Sequence, residues 1–325
     1  MSEIRPGTPL DPVVDRYLLW KRALGRDYLE VERILVSLLR FMHGRAATDL
    51  DQELFDSWSK SFAELSANVR RNRQREVRNF CLYRQRTEPS CFVPDSHRFA
   101  RPCPYCAPVI FGSDAVARML VEAGKQRATS GSPLLPAVLR MAVILLYTAG
   151  LRRGELLRLT LADVDPIAGV LRIHESKFHK SRFVPLSVSA CEELRAYLQQ
   201  RLALPLGCAP ETPLLCNCKG GLRGYTGNGL SYGLQMLIRS ADVKSVDGRR
   251  PRVHDFRHSF AVQALLRWYR QGADVQSNLP KLAMYMGHVS IVSTAYYLKW
   301  MPDIAAAAGE RFEARFGHLI SGGAP

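Results

Sequence analysis

A chain of 325 residues with 47% apolar and 23% charged residues can bury more than one core, which excludes a disordered chain and points to two domains. Its net charge of +15 implies a polyanionic partner, because a surplus of that size repels itself unless phosphates neutralise it. Residues 1–20 lack the basic-then-apolar pattern of a secretory signal, and the most apolar window, Ala137 to Ala149, is too short for a bilayer and carries Arg140; a cytoplasmic, nucleoid-associated protein with no membrane partner is expected.

Residues 13–43 place Leu18, Leu19, Val31, Ile34, Leu35, Leu38 and Leu39 at three- and four-residue spacing, which predicts helix. A second helix is predicted from Asp51 through Leu54, Phe55, Trp58, Phe62 and Leu65. A third spans Ser66 to Arg84 and carries most of an unusual run: seven arginines between Arg70 and Arg86 against one acid, Glu76. Val69, Val77, Phe80 and Leu82 give this helix a core face. The dominance of one sign favours a phosphate-tracking surface over an ordinary solvated face.

The pattern breaks over residues 87–112, where five prolines and little periodicity read as an extended strap. Cys103 and Cys106 form a CxxC there, and Cys216 and Cys218 a CxC. Zinc needs four ligands at compatible spacing, whereas the two pairs fall in separate predicted domains; free thiols and no bound metal are expected, the alternative being a local site in which Cys81, Cys91 or His97 joins Cys103 and Cys106.

The second body begins near Ser113. A buried helix is predicted from Pro136 to Tyr147, stopped at Ala149-Gly150, with another from Arg152 to Leu161. Val170–His174 and Arg182–Leu186 read as two strands of a hairpin. Helices follow over Ser189 to Leu202, Asn228 to Ser240, and after His254. Ile304, Ala308, Phe312, Phe316 and Leu319 mark an amphipathic tail helix.

Several residues of this body suit phosphate chemistry. Arg152 follows a glycine turn with Glu155 three positions on, where a carboxylate can orient the guanidinium. His254 and Arg257 share a helical face, and His288 and Tyr297 follow. Lys177 and Lys180 compete for the hairpin turn, and Tyr296 competes with Tyr297 as nucleophile. A phenol has a pKa near 10, so only about one in a thousand is ionised at neutral pH without help from neighbouring cations. Taken singly, each has a plainer reading: a surface salt bridge for Arg152, a solvated turn for the lysines, aromatic packing for the tyrosines.

Together, GLRRGELLRL, HDFRHSFA and MGHVSIVSTAYYL resemble the three boxes of the tyrosine recombinase (phage integrase) family, and SKFHKSRFVPL resembles its lysine hairpin. The resemblance covers about residues 115–300. Ser176 and Phe178 stand where relatives have glycines, and LKW follows the tyrosine where many have a histidine nearby.

The resemblance implies a mainly α fold with a small antiparallel β-sheet. A helical core-binding domain (1–86) and the strap (87–112) would precede a mixed α/β catalytic domain (113–302), and a C-terminal helix (303–325) could be exchanged between subunits. It implies a site-specific DNA recombinase that grips duplex DNA between two domains and cuts through a 3′-phosphotyrosyl link, with no cofactor. The resemblance selects Tyr297, nine residues after His288, as nucleophile and Lys177 as the proton donor to the leaving oxygen. Arg152, His254, Arg257 and His288 complete the site. Arg70, Arg71, Arg73, Arg78, Lys180 and Arg182 are expected to meet the DNA. The expected partners are a specific double-stranded recombination site and three further copies in a tetramer, with or without companion recombinases. The Xer-like and transposon-type enzymes are the nearest in length. A silent DNA-binding protein of the same fold and a type IB topoisomerase-like relaxing enzyme are the alternatives.

Overall fold

The N-terminal apolar repeats fold into a helical unit of their own. The computed structural model describes residues 9–25, 27–104, 106–176, 180–245, 247–287, 306, 309–310 and 312–315, and it divides into two compact units, residues 1–106 and 107–325. In the first, α1 (Asp11–Ala23), α2 (Leu29–His43), α3 (Gln52–Lys60) and α4 (Ala67–Arg84) enclose Tyr17, Leu35, Leu38, Met42, Trp58, Val77 and Phe80.

The single helical stretch expected over 13–43 is broken in two. Gly25 at φ 78° and Tyr28 at φ 52° turn the chain in the left-handed region, so that α1 and α2 both pack on α4. Asp51 caps α3 by accepting from the Leu54 N–H at 2.8 Å. That helix stops at Lys60, short of the expected Leu65. In α4, Val77, Phe80 and Cys81 are buried, whereas Val69 and Leu82, expected on the core face, are 44% and 40% exposed.

The proline-rich stretch is largely irregular, but its first part is not a free strap. Phe92, Val93 and Phe99 pack on the helical core. The Ala100 N–H donates to Gln74 Oε1 at 3.0 Å, and the Ala100 carbonyl accepts from Arg71 Nη1 at 3.1 Å. The boundary between the units therefore falls at Cys106–Ala107, inside the expected strap. Burial of these apolar side chains outweighs what the prolines do to regular structure.

The second unit is built around α6 (Leu135–Thr148), which is apolar on nearly every side and buries eight residues. Around it stand α5 (Ser113–Gly124), α7 (Arg153–Arg158), α8 (Val188–Leu202), α9 (Gly227–Ser240) and α10 (Asp255–Arg270). Arg140, the one cation in α6, reaches the surface and pairs with Glu193 of α8 at 2.8 Å.

A three-stranded antiparallel sheet, β1 (Val164–Asp165), β2 (Val170–Ser176) and β3 (Lys180–Pro185), pairs Leu171 with Val184 and Ile173 with Arg182. Leu171, Ile173 and Val184 enter the core, so alternation sends Phe183 to the opposite face. Four elements have no counterpart in the sequence reading: β1, β4 (Cys216–Asn217) and β5 (Arg223–Gly224), which form a small hairpin, and α11 (Val275–Met286), which carries Pro280 inside it. The tail helix falls mostly outside the described residues. Its described positions 306, 309–310 and 312–315 are helical.

Candidate active site

A glycine sets up the site. Gly150 ends α6 at φ +59°, and a Cβ there would lie 2.5 Å from Cδ1 of Phe260, so no other residue fits. The turn delivers Arg152 to the N-cap of α7 in extended conformation. Its backbone N–H donates to Glu155 Oε2 at 2.9 Å and its Nη1 to Glu155 Oε1 at 2.7 Å. Its Nη2 donates to the carbonyl of Gly287 at 2.8 Å.

Arg257, in the first turn of α10, is 1% exposed. Its Nη1 donates to the Gly150 carbonyl at 2.6 Å and its Nη2 to the Met286 carbonyl. The same Nη1 lies 4.0 Å from Glu155 Oε2. Arg182 adds a third guanidinium from β3: Nε donates to the Tyr285 carbonyl at 2.7 Å, and Nη1 and Nη2 to the two oxygens of Glu155 at 3.0 and 2.9 Å.

Three arginines thus share one buried carboxylate and cap three successive carbonyls at the C-terminal end of α11, where a helix leaves acceptors unsatisfied and its dipole favours cations. Gly287 makes the approach possible. It sits at φ +65°, and a Cβ on it would lie 3.0 Å from Nη1 of Arg182 and 3.4 Å from Nη1 of Arg152. Burial pushes the Glu155 carboxyl up, but the hydrogen bonds from Arg182 and Arg152 overcome this and hold it at about 2. Among the described residues, three guanidiniums thus gather around one carboxylate.

His254 stands directly before the first residue of α10, and its ring meets that of His258 edge-on at 4.8 Å between centroids. Packing on the inner side of the His254 ring, together with the charge of Arg257, lowers its pKa below the ordinary imidazole value. Burial, reinforced by His254, lowers His258 to about 4. Both rings are neutral at neutral pH.

Residues 123–302 match the phage integrase family. The chain belongs to that family. It is a site-specific integrase/recombinase of the tyrosine type. The integrase is 32% identical over 307 residues to a Sinorhizobium fredii protein named as an integrase/recombinase (y4rB), covering 93% of this chain and 96% of that one. It is 26% identical to the tyrosine recombinase XerD of Caulobacter vibrioides over 85% of this chain and 84% of that one. The structure of the Tn1549 transposon integrase in complex with a circular intermediate DNA superposes with a TM-score of 0.62 at 17% identity, over 94% of this chain and all of that one. A lambda integrase dimer bound to a core site gives 0.58 at 15% identity, over 88% and 94%. These two likenesses are of fold.

In the recombinase, Arg152 from the start of α7 and His254 and Arg257 from the start of α10 come to one place around Glu155 and the end of α11. Lys177, His288 and Tyr297 lie outside the described residues, as does Tyr296. Lys180 is described by its backbone alone, opposite Ser176 at the mouth of the hairpin. Arg182, expected on the DNA face, is instead turned into the site with its side chain 11% exposed and committed to Glu155 and Tyr285. Strand alternation explains the difference, because Arg182 follows the inward phase of Val184 and leaves the outward one to Phe183.

The arginines of α4 belong to the helical unit. Arg71 is tied to Ala100, and the guanidinium of Arg73 lies 5.1 Å over the Phe62 ring. Arg70 and Arg78 are half-buried, and the Nε of each is enclosed without a hydrogen-bond partner. Arg84 pairs with Asp49 and Glu88, acids from outside the run. Sequence reasoning named Arg182 as a DNA contact and did not foresee its bonds to Glu155 and Tyr285, nor the successive carbonyls held by Arg182, Arg257 and Arg152. The available signal was Gly287, a glycine directly before the histidine of the third box. Among the described residues no helix is long and apolar enough to cross a membrane.

Proposed function

We propose that this recombinase cuts and rejoins DNA at a specific site through a covalent 3′-phosphotyrosyl intermediate, in the integration, excision or transposition of a mobile element. The convergence of Arg152 and Arg257 with a neutral His254, around the segment that leads directly into His288 and Tyr297, carries this reading.

In this reading the guanidiniums of Arg152 and Arg257 are the donors to the non-bridging oxygens of the scissile phosphate. The Tyr297 phenol attacks phosphorus as its proton passes to a base, for which neutral His254 is suited. The Tyr297 O–P bond forms while the bond from phosphorus to the 5′ oxygen breaks, and Lys177 protonates the departing 5′ oxygen to leave a 5′ hydroxyl. His288 supports the phosphate and the nucleophile. Attack by the 5′ hydroxyl of a second strand reverses these steps and restores the phenol. The phosphotyrosyl bond conserves the energy of the bond it replaces, so the exchange needs neither a nucleotide nor a cofactor. The working assembly is a tetramer on paired sites, and the arginines of α4 add a second grip on the duplex.

The test is a suicide duplex, nicked beside the core of a site selected from randomised DNA by the protein itself. The wild-type chain should accumulate a covalent protein–DNA adduct, equally in EDTA, and Tyr297→Phe should form none. An adduct of undiminished yield from Tyr297→Phe would sink the assignment. Relaxation of plasmids lacking the selected site would favour a topoisomerase instead.

A further inference from the structure

Arg182 makes three hydrogen bonds, none of which points to solvent. Its fork meets Glu155 in bidentate fashion at 3.0 and 2.9 Å, and its Nε holds the Tyr285 carbonyl at 2.7 Å. Glu155 in turn holds both the backbone N–H and the Nη1 of Arg152. The neighbouring carbonyls of Met286 and Gly287 hold Arg257 and Arg152. A single side chain on β3 therefore fixes both supports of the Arg152 guanidinium: the carboxylate on one side and the end of α11 on the other. Gly287 allows the close approach on which this depends.

We infer that Arg182 is a positioning residue for the arginine pair, aligning Arg152 with the phosphate through Glu155 and α11, and is not a DNA contact. The inference rests on the proposed phosphate chemistry of Arg152 and Arg257. Lysine at 182 would keep the charge but lose the fork, since one ammonium cannot span both carboxylate oxygens and a carbonyl on another helix. The pattern of hydrogen bonds, and not the charge alone, is what Arg182 contributes. Displacing a guanidinium by about 1 Å lowers a rate on the order of 100-fold while leaving ground-state binding nearly intact.

The experiment compares wild type, Arg182→Lys and Arg182→Met on the nicked duplex, measuring the single-turnover rate of adduct formation at saturating DNA and, separately, the Kd. Both variants should bind within about twofold of wild type and form adduct about 100-fold more slowly. A Glu155→Gln, Arg182→Lys double variant should be little slower than the worse single one, because the two act through one contact. A Kd weakened tenfold or more, with an unchanged saturated rate, would overturn the inference in favour of a DNA contact. A wild-type rate in Arg182→Lys would overturn it in favour of simple charge. Should Arg182→Met fail to fold, Arg182→Lys carries the test alone. The proposed function fails in a different pattern, with no adduct from wild type or an undiminished one from Tyr297→Phe.

Discussion

Glu155 is the residue on which the site turns. Replacing it with glutamine leaves Arg152, Arg182 and Arg257 facing one another without a carboxylate, and breaking such a buried pair costs about 3–5 kcal/mol. Urea unfolding of Glu155→Gln should show a loss of that size. The pH dependence follows from the same residue with a definite sign. Its folded carboxyl, at about 2, lies below the ordinary 4.5, so its stabilisation is complete above pH 4.5 and drains away as pH falls from there towards 2.

His258 acts in a higher window. Its folded value of about 4 lies below the ordinary 6.5, so protonation favours the unfolded chain. Stability is full above pH 6.5 and declines towards pH 4, by up to about 3 kcal/mol. Urea midpoints measured from pH 7 to pH 4 should fall for wild type and flatten in His258→Gln. At this scale the sequence was informative where a box supplied order and spacing, as for Arg152, His254 and Arg257. The contacts of Arg182 were not legible because its partners, Glu155 and Tyr285, lie 27 and 103 residues away and no local pattern reveals such contacts.

Among the elements, α6 and the α8 helix were legible because burial on one or all sides writes itself into hydrophobic spacing. The turn after α6 was legible for the same reason, with glycine in the one place where a left-handed residue is needed. Gly150→Ala must both adopt φ +59° and displace Phe260. A loss of about 2 kcal/mol or more is expected by thermal unfolding. Adduct formation should fall with it, because the Gly150 carbonyl also holds Arg257. The break between α1 and α2 was hidden, since apolar spacing continues across it and only Gly25 marks the turn. Pro280 hid α11: proline removes a helical N–H donor and reads as a stop, yet the Asp274 cap and the buried Leu279 and Leu282 hold the helix together around it.

At the scale of the molecule, the charge surplus sets how binding responds to salt. Affinity for the selected duplex should fall about 1,000-fold or more between 50 and 200 mM salt if six or more phosphates are contacted. Arg78→Ala should reduce the slope of log K against log salt by about one. A slope unchanged in that variant would remove Arg78 from the DNA face. The division into two units was legible from composition. Its position was not, because proline content signals a lack of regular structure without saying whether Phe92 and Phe99 find a surface to cover.

The three carbonyls at the end of α11 carry a consequence for timing. Any opening of that last turn scatters three guanidiniums at once, so under the proposed function, in which the phosphodiester is held by Arg152 and Arg257 together, DNA is bound only by the closed form. Ligation and local opening are then thermodynamically linked. Saturating DNA should slow amide hydrogen exchange at the end of α11, including the Gly287 N–H that donates to Met284, and should do so in Tyr297→Phe as well as in wild type. The end of α11 would then be steadied by capture of the phosphate itself, before any bond is broken.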